Sequence, residues 1–234
     1  MDRKIYAIFT AGGSGVRMGA PIPKQFLHLC GKPILRRTIE AFVEAVPSLN
    51  VIVTLPRGQM EWWKRYCRED GFNCPHTVVA GGITRFHSVR NALAKVPDGA
   101  MVMIHDGVRP LVRKDLLEKM LARMQSCRAL VPVMTAVETL ASLRRGEDGN
   151  PVETGEPSPD RSRVFSVQTP QIFLSEDIRS AYTQAYDESF TDDASVARRK
   201  QIPIDYIDGD RFNIKITTPE DLRIAELYFP LTQI

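Results

Sequence analysis

The chain has no cysteine pair at C-x-x-C spacing. Cys30, Cys67, Cys74 and Cys127 are scattered, with no histidine at zinc-ligand spacing, so reduced thiols are expected rather than a structural zinc site. No apolar run approaches the roughly 20 residues that span a bilayer. The chain enters an apolar strand at Ile5 with no n-region and h-region of a signal peptide, so the expectation is a cytoplasmic protein without membrane contact. Neither charge dominates: 31 Lys and Arg against 28 Asp and Glu leave a formal +3, too little to argue for nucleic acid. Internal repeats are missing as well. Against these absences stand 234 residues, 43% hydrophobic and 25% charged, enough for one large folded domain with a substantial core.

The commoner phosphate loops are also missing. Lys24 lies between Pro23 and Gln25, which breaks the G-x-x-x-x-G-K-[ST] pattern of a P-loop. Met18 stands where a dinucleotide fingerprint needs its third glycine, and the next apolar strand, 50–55, ends in Pro56 rather than an acid. No Ser-His-Asp set occurs at convincing spacing.

What is present begins with the apolar run Ile5–Phe9, read as a buried strand. It feeds Ala11-Gly12-Gly13-Ser14-Gly15, a stretch almost bare of side chains whose N–H groups can approach an anion. Arg17 and Lys24 follow, the lysine behind Pro21 and Pro23. That combination suits a polyphosphate whose charge changes during reaction. Further along, the pattern predicts a helix opening at Pro33 and running to about Ala45, a strand at 50–55, and a helix at about Met60–Asp70 ending at Gly71. Trp62, Trp63 and Tyr66 in that helix read as packing. A strand at Thr77–Ala80, a helix at 84–95, a strand at Met101–Ile104, a helix at 114–125 and a strand at Ala129–Met134 complete the alternation. Such an order predicts an α/β fold, a Rossmann-like and mostly parallel sheet with helices on both faces. After Thr135, an extended strand at Val137–Leu140, a polar tip at Arg144–Asp160 and a return at Arg163–Gln168 predict a protruding β-arm at about 136–166. Helices are expected at Ser175–Tyr186 and Thr218–Tyr228, the latter opened by a capping threonine, a proline and two acids. The whole is expected to be one domain, 1–234.

Ligands of such sheets bind beyond the carboxyl ends of the strands. Besides the glycine loop, two strand ends carry unusual residues. Gly81-Gly82 can admit a flat base, with Ser88 to hydrogen-bond it. His105-Asp106-Gly107-Val108-Arg109 follows an apolar strand. There Asp106 can bind Mg²⁺, Gly107 allows close approach, and Arg109 can clamp a phosphate with its planar fork. Downstream, 168–171, 191–195 and 213–217 are each compatible with ordinary turn or cap chemistry.

Taken in series, AGGSGVRMG, PKQF, GGITRFHSV, HDGVRP, VQTPQIF, TDDAS and NIKITTPEDL resemble the 2-C-methyl-D-erythritol 4-phosphate cytidylyltransferases over essentially the whole chain. The resemblance implies a fold of the sugar-nucleotide transferase type. It implies transfer of CMP from CTP to methylerythritol phosphate with release of pyrophosphate. Arg17 and Lys24 would stabilise the transition state. Gly81, Gly82 and Ser88 would hold cytosine, and Asp106 would sit by the ribose and a Mg²⁺ or other divalent cation. Arg109, Thr139, Arg161, Thr191 and Lys215 would bind the sugar phosphate. A homodimer with crossing arms is implied, Thr139 and Arg161 serving the partner's site. The chain departs from the pattern at Phe212, where a polar or acidic residue is common, and at Ile83, where an acid is common; base recognition there falls to the backbone. Ribitol-5-phosphate cytidylyltransferases share nearly every motif and remain an alternative. A nucleotide-binding regulatory module without turnover is a rival of another class, disfavoured by the joint presence of Arg17 and Lys24.

Overall fold

Alternating apolar and amphipathic stretches give the expected order of elements in the computed structural model, which describes residues 3–13 and 22–232. The first half runs β1 (Ile5–Thr10), β2 (His28–Leu29), β3 (Lys32–Pro33), α1 (Ile34–Ala45), β4 (Asn50–Leu55), α2 (Arg57–Glu69), β5 (His76–Ala80), α3 (Arg85–Leu93) and β6 (Met101–Asp106). Next come α4 (Lys114–Arg123), β7 (Ala129–Thr135), β8 (Leu143–Arg145), β9 (Pro151–Glu153), β10 (Phe165–Val167) and β11 (Gln171–Leu174). The chain closes with α5 (Ser175–Ala181), α6 (Asp193–Arg199), β12 (Asp205–Asp208) and α7 (Pro219–Tyr228).

The main sheet has the order β10-β7-β11-β6-β1-β4-β5, with β12 also paired to β7. β6, β1, β4 and β5 are parallel neighbours, whereas β11 runs antiparallel between β6 and β7. The chain moves outward from β1 through β4 and β5, then returns to the other flank of β1 as β6. Strand order therefore reverses between β1 and β6, and a crevice opens beyond their carboxyl ends. The register sets Thr10 beside Asp106 at that point.

Successive strand residues point to opposite faces, and both faces are covered. Ala7, Phe9, Val53 and Met103 pack on the side that receives Phe42 of α1, Trp63 of α2 and Met120 of α4. Ile8, Ile52, Val102 and Ile104 pack on the other side, with Val89 of α3, Ile178 of α5 and Val196 of α6. Continuous apolar strands are thus explained by burial on both faces. Trp63 is fully buried, and its Nε1–H donates to His76 Nε2 at 2.9 Å. Trp63→Ala is expected to lower unfolding free energy by about 3–5 kcal/mol, read from urea midpoints.

Several boundaries differ from the sequence reading. Pro33 caps α1 from outside, with φ −52° and ψ 140°, instead of occupying its first turn. α2 starts directly after Pro56, earlier than expected, and stops before Gly71, whose φ of +61° suits glycine. α5 ends at Ala181, short of the expected Tyr186. The stretch 136–142 holds no strand; β8 pairs with β9 instead, in a separate two-stranded sheet. The return segment joins the main sheet as β10, antiparallel to β7 with Phe165 opposite Thr135. The short strands β2, β3, β8 and β9 went unread, as did β11, α6 and β12. No helix among the described residues is long and apolar enough to cross a membrane.

Candidate functional site

The end of β1 forms the first wall of the crevice. Ala11 N–H donates to Thr54 O at 3.1 Å. The buried Gln25 side chain donates to Ala11 O and to Gln59 Oε1, both at 2.8 Å. The glycine loop is therefore anchored at its start, with Gly12 and Gly13 beyond the anchor. Pro23 presets the chain before the turn Lys24–Phe26. Lys24 Nζ donates to Ile216 O at 3.2 Å, and its Cε lies 3.7 Å from where a Gly13 Cβ would stand. Ser14, Gly15 and Arg17 lie outside the described residues.

The second wall is the turn after β5. Gly81 N–H donates to Leu55 O at 2.8 Å. A Cβ on Gly82 would lie 2.3 Å from His87 Cβ and 3.0 Å from its backbone, so no larger residue fits there. Gly82 N–H donates to Ser88 Oγ at 3.0 Å, and that hydroxyl donates to Thr84 O at 3.1 Å. Thr84 caps α3, whose amino end faces the crevice. Ile83 is 96% exposed on the rim.

The third wall is the end of β6. Asp106 Oδ2 takes Arg109 Nε at 3.2 Å and pairs with Lys215 Nζ at 3.0 Å, while Oδ1 faces Arg85 Nε at 3.8 Å. Burial opposes charge on Asp106, but Arg85, Lys215 and Arg109 outweigh it and hold the carboxyl well below the usual range. Gly107 N–H donates to Thr10 O at 2.9 Å. A Cβ on Gly107 would meet Leu35 at 3.0 Å and Ala11 at 3.2 Å, so the need for glycine comes from packing inside the fold.

His105 is buried beneath this wall. Asp106 N–H donates to Thr169 Oγ1 at 3.1 Å, so that hydroxyl is free to donate to His105 Nδ1 at 3.0 Å. Nε2 then carries the proton and donates to Arg109 O at 3.1 Å. Burial pushes the imidazole down to about 3, so it is neutral and serves as scaffold rather than as a base. The unfolded chain binds a proton here that the folded one does not, so stability rises with pH across this window. Urea midpoints are expected to fall as pH drops from about 6.5 toward about 3.

These walls enclose a cavity of about 250 Å³ lined by Gly12, Gly13, Lys24, Ser88, Asp106 and Lys215, among others. Ala11 and Gly82 also line it, Gly81 precedes the latter, and Arg109 stands behind through Asp106. Thr139, Arg161 and Thr191 are exposed and do not line it. Arg161 Nη1 reaches Val137 O at 3.4 Å. Phe212 packs edge-on against Tyr228 and beneath Arg113, while Asp210 pairs with Arg113 outside the cavity. Sequence reasoning overlooked Gln25, Arg85 and Thr169. Arg85 carried a signal, a cation in the first turn of a helix that follows two glycines. Gln25 and Thr169 carried none, because their roles depend on partners distant in sequence.

No group of three or more His, Cys, Asp or Glu side chains suited to a metal occurs among the described residues. Asp106 is the one carboxylate among the cavity's described lining residues, and its Oδ1 accepts no hydrogen bond from them. Mg²⁺ commonly takes one or two carboxylates and completes its shell with substrate phosphates and water. The donor set fits that mode and no all-protein cage.

A family model described as 2-C-methyl-D-erythritol 4-phosphate cytidylyltransferase matches residues 5–231. The chain belongs to this family. A Porphyromonas gingivalis protein of that name is 44% identical over 228 residues, covering 97% of this chain and 98% of the relative. One from Bacteroides fragilis is 42% identical over 219 residues, covering 94% and 96%. The solved structure of the Francisella tularensis cytidylyltransferase superposes with a TM-score of 0.77 at 28% identity, covering 96% of this chain and 99% of that one. The family places the chain among nucleotidyltransferases, and its sheet and helices are those of the cytidylyltransferase fold.

Proposed function

We propose that the cavity binds CTP and transfers CMP to 2-C-methyl-D-erythritol 4-phosphate, giving CDP-methylerythritol and pyrophosphate. The observation that carries this reading is the convergence of Gly12, Gly13, Lys24, Ser88, Asp106 and Lys215 on one crevice at the switch point of a member of this family. The glycine loop and Lys24 suit the triphosphate. Gly81, Gly82 and Ser88 suit the base, Asp106 the ribose side, and Lys215 with Arg109 the sugar phosphate.

A phosphate oxygen of the polyol attacks the α-phosphorus of CTP in line. The new P–O bond forms as the bond to the β-phosphate bridging oxygen breaks, and the electron pair leaves with pyrophosphate. The attacking oxygen is already anionic, so no general base is needed, in keeping with a neutral His105. Catalysis reduces to alignment and charge neutralisation. Lys24 and, beyond the described residues, Arg17 are the agents. A Mg²⁺ or other divalent ion held by Asp106 and the phosphates would add further neutralisation when bound.

The unit of function on this reading is the whole chain, 1–234, acting in the cytoplasm, with the segment at about 136–166 serving as an arm toward a second copy. Exposed Phe165 at the end of that segment, with exposed Val167 and Tyr206 beside it, supports a homodimer. The distance of Thr139 and Arg161 from their own cavity supports a role in the partner's. The relatives' names favour methylerythritol phosphate over ribitol phosphate.

The test supplies CTP with each polyol phosphate in turn and measures pyrophosphate, then repeats it with UTP. Release with methylerythritol phosphate and CTP is expected. Release with ribitol phosphate alone would overturn the substrate, and CTP binding without release would point to a regulatory module. Gly82→Ala is expected to weaken CTP binding about tenfold or more by calorimetry, because the clash with His87 displaces the base loop.

A further inference from the structure

Arg85 opens α3 with its guanidinium between two carboxylates. Its Nη1 and Nη2 donate to Asp193 Oδ1 and Oδ2 at 2.9 and 2.6 Å. Its Nε lies 3.8 Å from Asp106 Oδ1, too far for a hydrogen bond. Asp193 opens α6 and is fully buried, and Tyr182 Oη donates to its Oδ1 at 2.6 Å. The backbone there is fixed: Gln171 donates to Asp192 Oδ2 and accepts from Ala194 N–H, both at 2.8 Å.

The two oxygens of Asp106 are unequally used. Oδ2 is shared by Arg109 and Lys215, whereas Oδ1 accepts no hydrogen bond among the described residues. A guanidinium whose fork is unengaged, this close to a carboxylate, closes on it as a bidentate pair. Asp193 occupies that fork.

We propose that Asp193 is a positioning residue that holds the Arg85 fork away from Asp106, so that Asp106 Oδ1 stays open to the nucleotide and its cation. It acts through Arg85 and touches no substrate. The inference rests on the reading that Asp106 meets CTP. Tying α3 to α6 would by itself be a structural role, and the two roles part company when Arg85 is removed as well.

The experiment measures CTP binding by calorimetry in magnesium chloride, together with pyrophosphate release and thermal unfolding. It compares the unsubstituted protein, Asp193→Asn, Tyr182→Phe, Arg85→Gln/Asp193→Asn and Arg85→Gln/Tyr182→Phe. Asp193→Asn is expected to weaken CTP binding about tenfold or more, because Arg85 then closes on Asp106. Tyr182→Phe, which removes one bond to Asp193, is expected to weaken it less. Each double variant is expected to bind CTP more tightly than its single parent, since the intruding cation is gone. A double variant as weak as its parent overturns the proposal, as does a folded Asp193→Asn with unaltered affinity. If Asp193→Asn does not fold, the Tyr182→Phe pair decides by the same comparison. An unsubstituted protein that binds no CTP overturns the functional reading first, and this inference with it.

Discussion

With Lys24 replaced by alanine, turnover is expected to slow by about 10²–10³-fold in kcat, measured as pyrophosphate release. The lysine sits where the glycine loop and the turn behind Pro23 converge, with its Nζ on Ile216 O and its stem beside Gly13. In the reaction proposed above its charge grows in value as the bond to pyrophosphate breaks, and an interaction that strengthens in the transition state appears in kcat more than in KM. Lys24 is only half-buried and its turn is built from backbone bonds, Phe26 N–H to Pro23 O and Leu27 N–H to Lys24 O. Thermal unfolding of Lys24→Ala should therefore match that of the parent. Unaltered turnover in a folded variant would remove Lys24 from the reaction.

Asp106→Ala is expected to lower kcat/KM about a hundredfold or more, and to lower thermal stability as well. One carboxylate partners Arg85, Arg109 and Lys215. Without it, positive charges face one another across the crevice, and the acid that the proposed function assigns to the ribose and cation is lost. Asp106→Asn keeps the shape and removes the charge, so a similar loss in that variant assigns the effect to electrostatics. The sign of the pH dependence follows from the depressed folded value. Asp106 contributes stability above the ordinary carboxylate range and loses it only as pH falls through a still lower folded value. The acid weakening that sets in below about 6.5, before the carboxylate range is reached, therefore belongs to His105 and not to Asp106. A urea series of Asp106→Asn that shows the same slope over that window as the parent would confirm the separation.

The parallel core was legible because burial on both faces demands unbroken apolar strands. Ile5–Thr10, Asn50–Leu55 and Met101–Asp106 carry that signal and pair as neighbours. β11 was hidden in a segment read for its motif, and β12 has alternate exposure at the sheet's margin, a weak apolar signal. α6 is short and opens on Asp192 and Ser195, whose capping box resembles any turn until the helix behind it is seen. The arm region misled for a related reason. β8 is exposed throughout and β9 offers only the half-buried Val152, which leaves no hydrophobic period to read.

Local chemistry in the sequence was enough to single out the glycine loop, the glycine pair before Ser88, Asp106 and Lys24, because small residues and charges at strand ends have few other uses, whereas Lys215 was reached only through the family resemblance. Those residues are far apart along the chain, and composition could not say that they share one cavity. Tertiary structure decided that, through the reversal of strand order between β1 and β6. It also decided which cations are spent on neutralising one another: Arg85 is held by Asp193, whereas Lys215 and Arg109 share Asp106. Pairing of that kind depends on distances between segments separated by up to about a hundred residues, and only the packed sheet sets those distances.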